Sequence, residues 1–208
     1  MLPTTLDGWL DYIGRQHCAE IDMGLDRVQA VWGRLGRPRA PVNIVVGGTN
    51  GKGSTCAMLE SIYRCAGFRT GFYSSPHLVH FNERVRISGV NAPDDALVRA
   101  FEHVEHARQA TPAPEPLTYF EFATLAALVL YQEAQLDVAI LEVGLGGRLD
   151  AVNLVDGDVS IVVSVDLDHQ SYLGNTRDAI GWEKAHIFRA GRPAIYGDRD
   201  VPPTVVDH

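Results

Sequence analysis

The chain has 208 residues, 46% of them hydrophobic, and a formal net charge of -8. That bounds it to one substantial α/β core, or one core with small appendages. It lacks the long basic tract of a nucleic-acid binder, the apolar length of a membrane span and the basic-then-apolar start of a secretory leader. Cys18, Cys56 and Cys65 are an odd number without metal-ligand spacing. They read as small buried thiols in a reducing compartment, which makes cytoplasmic the default.

In chain order, Leu6 to Ile13 predicts a short amphipathic helix and Arg15 to Met23 a loop. Leu25, Val28, Val31, Trp32 and Leu35 recur at helical spacing until Gly36 and Pro38 stop them. Asp22 and Asp26 read as solvated residues at that helix start. Val42 to Val46 is a β-branched strand, and the helix after the turn at 47–54 presents Ala57, Met58, Ser61, Ile62 and Cys65 on one face. Thr70 to Tyr73 is a second strand feeding Ser74-Ser75-Pro76-His77. Asn82 to Ile87 forms either a small ribbon or a projecting loop. Pro93 is placed as the first residue of a helix reaching Gln109, with Leu97, Phe101 and Val104 inward and its acidic and histidine residues wet. Thr118 and Glu121 form a capping box for an all-round apolar helix, Phe120 to Ala134. Asp137 to Leu141 and Asp158 to Val163 read as strands covered on both faces. Thr176 caps a last helix reaching Phe188, and Arg192 to Ile195 begins another strand. The alternation predicts an α/β fold with a doubly wound, mostly parallel sheet. Residues 1–40 are expected to be a helical lead-in and 41–208 the nucleotide-type domain. The polar, proline-bearing segment 198–208 leads us to expect a chain cut within that domain.

Chemistry concentrates at strand ends, where open α/β folds bind ligands. The turn Gly47-Gly48-Thr49-Asn50-Gly51-Lys52-Gly53-Ser54 lies between strand and helix, the context of a phosphate-binding loop. It departs from the general pattern, with Val46 where a glycine belongs and Gly53 inserted before Ser54. Glu142 ends a buried strand ahead of a glycine-rich run and can hold Mg²⁺ near phosphates. Asp166, Asp168 and His169 follow another strand; on pattern alone an aspartate is the better Mg²⁺ ligand.

Six segments in order carry a more specific signal: GGTNGKGST at 47–55, YSSPHLVHFNERVRI at 73–87, TYFEF at 118–122, LEVGLGGRLDAVN at 141–153, DLDHQSYLG at 166–174 and EKAHIFRAG at 183–191. With IDMGLDRV at 21–28, they resemble the bifunctional dihydrofolate synthase/folylpolyglutamate synthase family of Mur-type ligases. The resemblance implies an ATP-dependent amide ligase that adds L-glutamate to dihydropteroate and to folate tails through an acyl phosphate. It implies ATP contacts from Gly48, Thr49, Asn50, Gly51, Lys52, Gly53 and Ser54. It also implies Mg²⁺, two ions, at Ser75, Glu142 and His169, in place of the aspartate that pattern favours. Lys52, Lys184 and His169 would be catalytic, with Lys184 at the position that is often carbamylated. Asp22, Ser74, Pro76, His77, Phe120, Asp150 and Asn153 would shape the pterin-side pocket. The chain departs from the family at Val152, which replaces a threonine, and at His186, which replaces a glycine. The expected partners are small molecules, with no nucleic acid or membrane, and the full-length form is expected to be a monomer. Residues clamping adenine and incoming glutamate are expected in a further C-terminal domain. The competing readings are another Mur-type amino-acid ligase and a nucleotide- or pterin-binding fragment without catalysis. A GTPase-type switch would want an Asn-Lys-x-Asp motif, which the sequence lacks.

Overall fold

Runs of β-branched and aliphatic residues form the centre of the structure, which a computed structural model describes over residues 2–208. In order the elements are α1 (Leu6–Ile13), α2 (Asp26–Arg34), β1 (Val42–Gly47), α3 (Lys52–Cys65), β2 (Thr70–Tyr73), β3 (Val85–Ile87), β4 (Val90–Asn91), α4 (Asp94–Arg108) and α5 (Tyr119–Glu133). They continue with β5 (Val138–Glu142), β6 (Val159–Val162), α6 (Gln170–Leu173), α7 (Arg177–Ala185), β7 (Ala194–Tyr196) and α8 (Pro203–Asp207). Among the described residues the strands form one sheet in the order β4-β3-β2-β5-β1-β6-β7. The pairings of β1 with β5 and β6, of β2 with β5 and of β6 with β7 are parallel. Residues 85–91 form a ribbon, and β3 and β4 continue the sheet antiparallel from β2. The sheet is therefore doubly wound and mostly parallel.

Side-chain alternation assigns each face its cover. Val45, Ala139 and Leu141 point into the large core shared with α1, α2, α4 and α5. Ile44, Val46, Val138 and Ile140 point the other way, with Phe72 and Cys56. Helix α5 is buried continuously from Glu121 to Tyr131. Burying a side chain such as Phe122, Leu125 or Leu128 stabilises the fold by roughly 1.5–3 kcal/mol each. Its capping box forms: Thr118 N–H donates to Glu121 Oε2 at 2.8 Å and Glu121 N–H to Thr118 Oγ1 at 3.3 Å.

Four expectations are corrected. The face of α3 carrying Met58 and Ile62 is turned outward, with these residues 60% and 63% exposed. Cys56 and Glu60 are the buried positions, and Glu60 is held there by an ion pair to Arg86 at 2.7 Å. Pro93 is the N-cap of α4 and not its first residue. The polar side of α4 is not uniformly wet, because Glu105 is 0% exposed. It accepts from Tyr12 Oη at 2.6 Å and from Arg108 Nε at 2.7 Å, which ties α1 to α4. Of the three thiols only Cys56 is buried; Cys18 and Cys65 are exposed. Boundaries also shift: β5 extends through Glu142, and α7 stops at Ala185.

Removing one partner of a buried, hydrogen-bonded pair strands the other charge. Glu105→Gln is expected to lower stability by about 3 kcal/mol in urea unfolding. Glu133→Gln, which removes an exposed partner of His103, should change it by less than about 0.5 kcal/mol.

Candidate active site

Strands β1, β2, β5 and β6 run parallel, so the loops that follow them emerge at one edge of the sheet. These are residues 47–54, 74–77, 143–150 and 163–169. Register puts Val46 beside Glu142 on one side and Ile161 on the other. The glycine loop and the carboxylate ending β5 are thus neighbours by topology.

Gly48 adopts φ +146, and a Cβ there would lie 3.2 Å from Val163 and Ser164 backbone. Only glycine lets the loop pass that close to the strand beside it. The loop is pinned from the same side. Thr49 N–H donates to Ser164 O at 2.8 Å, Asp166 N–H to Thr49 Oγ1 at 3.0 Å, and Asn50 N–H to Ser164 Oγ at 3.1 Å. Thr49 and Asn50 therefore fix the loop's shape. Lys52 opens α3 and folds back, donating to Gly48 O at 3.0 Å. Lys184, on α7 and only 4% exposed, donates to the same oxygen at 3.0 Å. Burial first, and the Lys52 ammonium second, lower the Lys184 pKa to about 8. Helix α7 comes this near because Gly147 lacks a Cβ, which would lie 2.7 Å from Glu183 O.

Glu142 is buried, and burial pushes its carboxyl pKa up against the opposing pull of Lys52 and the Ser75 N–H. It makes no ion pair among the described residues, and its Oε2 lies 3.5 Å from where a Cβ of Gly53 would be. Ser75 and His169 line one cavity, and His169 Nε2 lies 3.6 Å from Asp168 Oδ2. Among the described residues no three His, Cys, Asp or Glu side chains converge as a preformed metal cage.

The cavity holds ≈ 720 Å³, and Asp22, Pro76, His77, Phe120 and Asp150 contribute to its lining. Asp150 is buried, and burial pushes its pKa up to about 6 against the N–H groups of Leu145, Val152 and Gly144. Loop 17–23 forms one wall. Arg27 fastens it: Nε donates to Glu121 Oε2 at 3.0 Å, and the terminal nitrogens reach Asp22 Oδ2 at 2.9 Å and Asp22 O. Asp22 also faces His17 Nε2 at 3.2 Å while its side chain stays 43% exposed, so it is paired as well as solvated.

Two named residues lie outside this lining. Ser74 uses its N–H on Arg84 O at 3.0 Å. Asn153 donates to Arg148 O and His186 O and accepts from Arg189, joining the β5 loop to the end of α7. Val152 is fully buried. His186 is the C-cap of α7 at φ -66, a conformation open to any residue. Sequence reasoning missed the Arg27–Glu121 clamp and the Arg84 side chain in the cavity wall. Arg84 lay visible within the 73–87 segment; the clamp joins positions 94 residues apart and leaves no local signal.

Comparison with known proteins follows the same outline. No family model matches the chain. The Escherichia coli K12 dihydrofolate synthase/folylpolyglutamate synthase is 52% identical over 204 residues, 97% of this chain and 47% of that protein. The solved E. coli FolC in complex with DHPP and ADP superposes with a TM-score of 0.95 at 51% identity, covering 100% of this chain and 49% of that one. A solved bifunctional folylpolyglutamate synthase/dihydrofolate synthase with Mn, AMPPNP and L-glutamate bound gives 0.91 at 47% identity, covering 100% and 50%. The chain thus spans about half the length of the relatives it matches. With half its residues identical across nearly its whole length, and with the same Mur-ligase-type ATPase fold, the chain belongs to the dihydrofolate synthase/folylpolyglutamate synthase family.

Proposed function

We propose that this chain supplies the phosphate-binding and acceptor-binding sites of an ATP-dependent ligase that joins L-glutamate to dihydropteroate and to folate glutamyl tails. One observation carries the reading. The cavity and the phosphate loop share a wall, since Ser75 lines the cavity and its N–H acts on the Glu142 carboxyl, whose Oε2 lies 3.5 Å from where a Cβ of Gly53 in the loop would be. An acid bound in the cavity is thereby presented to a phosphoryl group on the loop. The likeness to relatives holding ADP, AMPPNP and DHPP supports it.

The substrate carboxylate attacks the γ-phosphorus of ATP, ADP departs, and the amino group of L-glutamate then displaces phosphate from the acyl phosphate. Loop N–H groups at 48–54 and the Lys52 ammonium would hold the phosphates and oppose charge on the transferring group. The donor set fits a hard divalent cation: Glu142 is a buried carboxylate without an ion-pair partner, Ser75 adds a hydroxyl, and His169 lines the same cavity. Mg²⁺ held there would neutralise phosphate charge. Phe120 and Tyr119 offer aromatic faces to the pterin, and Asp150 offers its carboxyl to the ring's N–H edge. The chain needs no nucleophile of its own; it positions the reactants and excludes water from the acyl phosphate.

Lys184 is assigned a carbamate. Its lowered pKa leaves about a tenth of the amine neutral at pH 7, where an ordinary lysine has less than about a thousandth. The neutral amine adds CO₂ and releases a proton, and the product is an anionic oxygen group beside Lys52.

In the full-length enzyme, ADP formation with dihydropteroate and glutamate should fall by about 10²–10³ in Lys52→Ala, with dihydropteroate binding kept. Full turnover in that variant contradicts the role. Intact-mass measurement with bicarbonate at mildly alkaline pH should show one CO₂ added, and Lys184→Arg should abolish the addition. An unmodified wild-type mass contradicts the carbamate.

A further inference from the structure

The cavity lining carries the carboxylates Glu20, Asp22, Glu121 and Asp150. Against them stands one permanently charged cation among the described lining residues, Arg84. Its guanidinium packs beside two rings that stand nearly at right angles to each other, with Cζ 5.6 Å from the Phe81 centroid and 5.5 Å from that of Tyr119. Nε donates to His77 Nδ1 at 2.8 Å, which fixes the plane. The two terminal amino groups carry no hydrogen bond and no ion pair among the described residues. The adjacent carboxylate does not neutralise them, because Glu83 accepts from the N–H groups of Leu78, Val79 and His80 at 2.7–2.9 Å. A guanidinium oriented through Nε, with both terminal nitrogens free, is suited to take a carboxylate side-on.

Two carboxylates arise in a folate tail. The reacting γ-carboxylate would meet the Lys52 ammonium at the phosphoryl end, beside Gly48 O. The α-carboxylate of the terminal glutamate does not react and has no other permanent cation in the lining. We infer that Arg84 binds this spectator α-carboxylate, and so is the residue that favours a glutamylated acceptor over dihydropteroate, which lacks the group. The inference rests on the folate reading above. A free L-glutamate presents the same α-carboxylate, so the test separates the two sources.

The test compares dihydropteroate with dihydrofolate, which differ by the glutamyl group alone, in equilibrium binding to the wild type and to Arg84→Gln. A third ligand joins dihydropteroate to γ-aminobutyrate; it keeps the γ-carboxylate and lacks the α-carboxylate. The variant should weaken dihydrofolate about tenfold or more and leave dihydropteroate within about twofold. Wild type should bind the γ-aminobutyrate ligand about tenfold more weakly than dihydrofolate, and the substitution should then add little. The wild-type comparison stands even if the variant does not fold. Equal loss for dihydropteroate and dihydrofolate overturns the inference and leaves the folate reading standing. A raised KM for L-glutamate with dihydropteroate as acceptor overturns the assignment to the tail. Failure of the wild type to bind either pterin overturns the folate reading and this inference with it.

Discussion

Two ammonium groups share one carbonyl oxygen. Lys52 and Lys184 each donate to Gly48 O at 3.0 Å, so they lie within about 6 Å of one another. At that separation their repulsion is roughly 3 kcal/mol at the dielectric of a protein surface. A carbonyl dipole offsets only part of it. The arrangement persists because the sheet fixes the loop on one side and α7 fixes Lys184 on the other. An anion would relieve it, whether the phosphate chain or the Lys184 carbamate proposed above. The local structure is thus held in the state that a phosphate ligand completes.

Everything else at the site follows from where the strands end. Parallel pairing of β1 with β5 and β6 brings the glycine loop, Glu142 and the loop after β6 to one edge. The antiparallel extension through β3 carries Arg84 to the same cavity wall. Helix α5 has two tasks. Its buried body stabilises the sheet, and its capping-box carboxylate Glu121 also receives Arg27, which anchors the loop bearing Asp22. One wall of the cavity is therefore tied to the core through one guanidinium.

How much of this was legible in the sequence depended on the range of the interaction. The capping box at Thr118 and Glu121, the strand before the glycine loop and the stop after α2 are local, and their chemistry is written within a few residues. The outward face of α3 was misread because Met58 and Ile62 form an apolar stripe while Cys56 and Glu60 do the packing. What holds Glu60 in place is Arg86, on strand β3. Glu105 was read as wet for the same reason, since one of its partners is Tyr12, 93 positions away. At the site, residue types and order were visible in the motifs. The sharing of Gly48 O by two lysines was not, because it joins positions 136 apart. Likewise Asn153 belongs to a motif facing the cavity but uses its amide to join two loops.

The most direct test of the central claim is the Lys184 Nζ titration, followed by nuclear magnetic resonance of a selectively labelled lysine in carbonate-free buffer. The account predicts a pKa of about 8 in the free protein. It predicts a rise when a non-hydrolysable ATP analogue and Mg²⁺ are added, because phosphate charge favours the ammonium form. An ordinary lysine pKa near 10.5 in the free protein, unmoved by nucleotide, would contradict it.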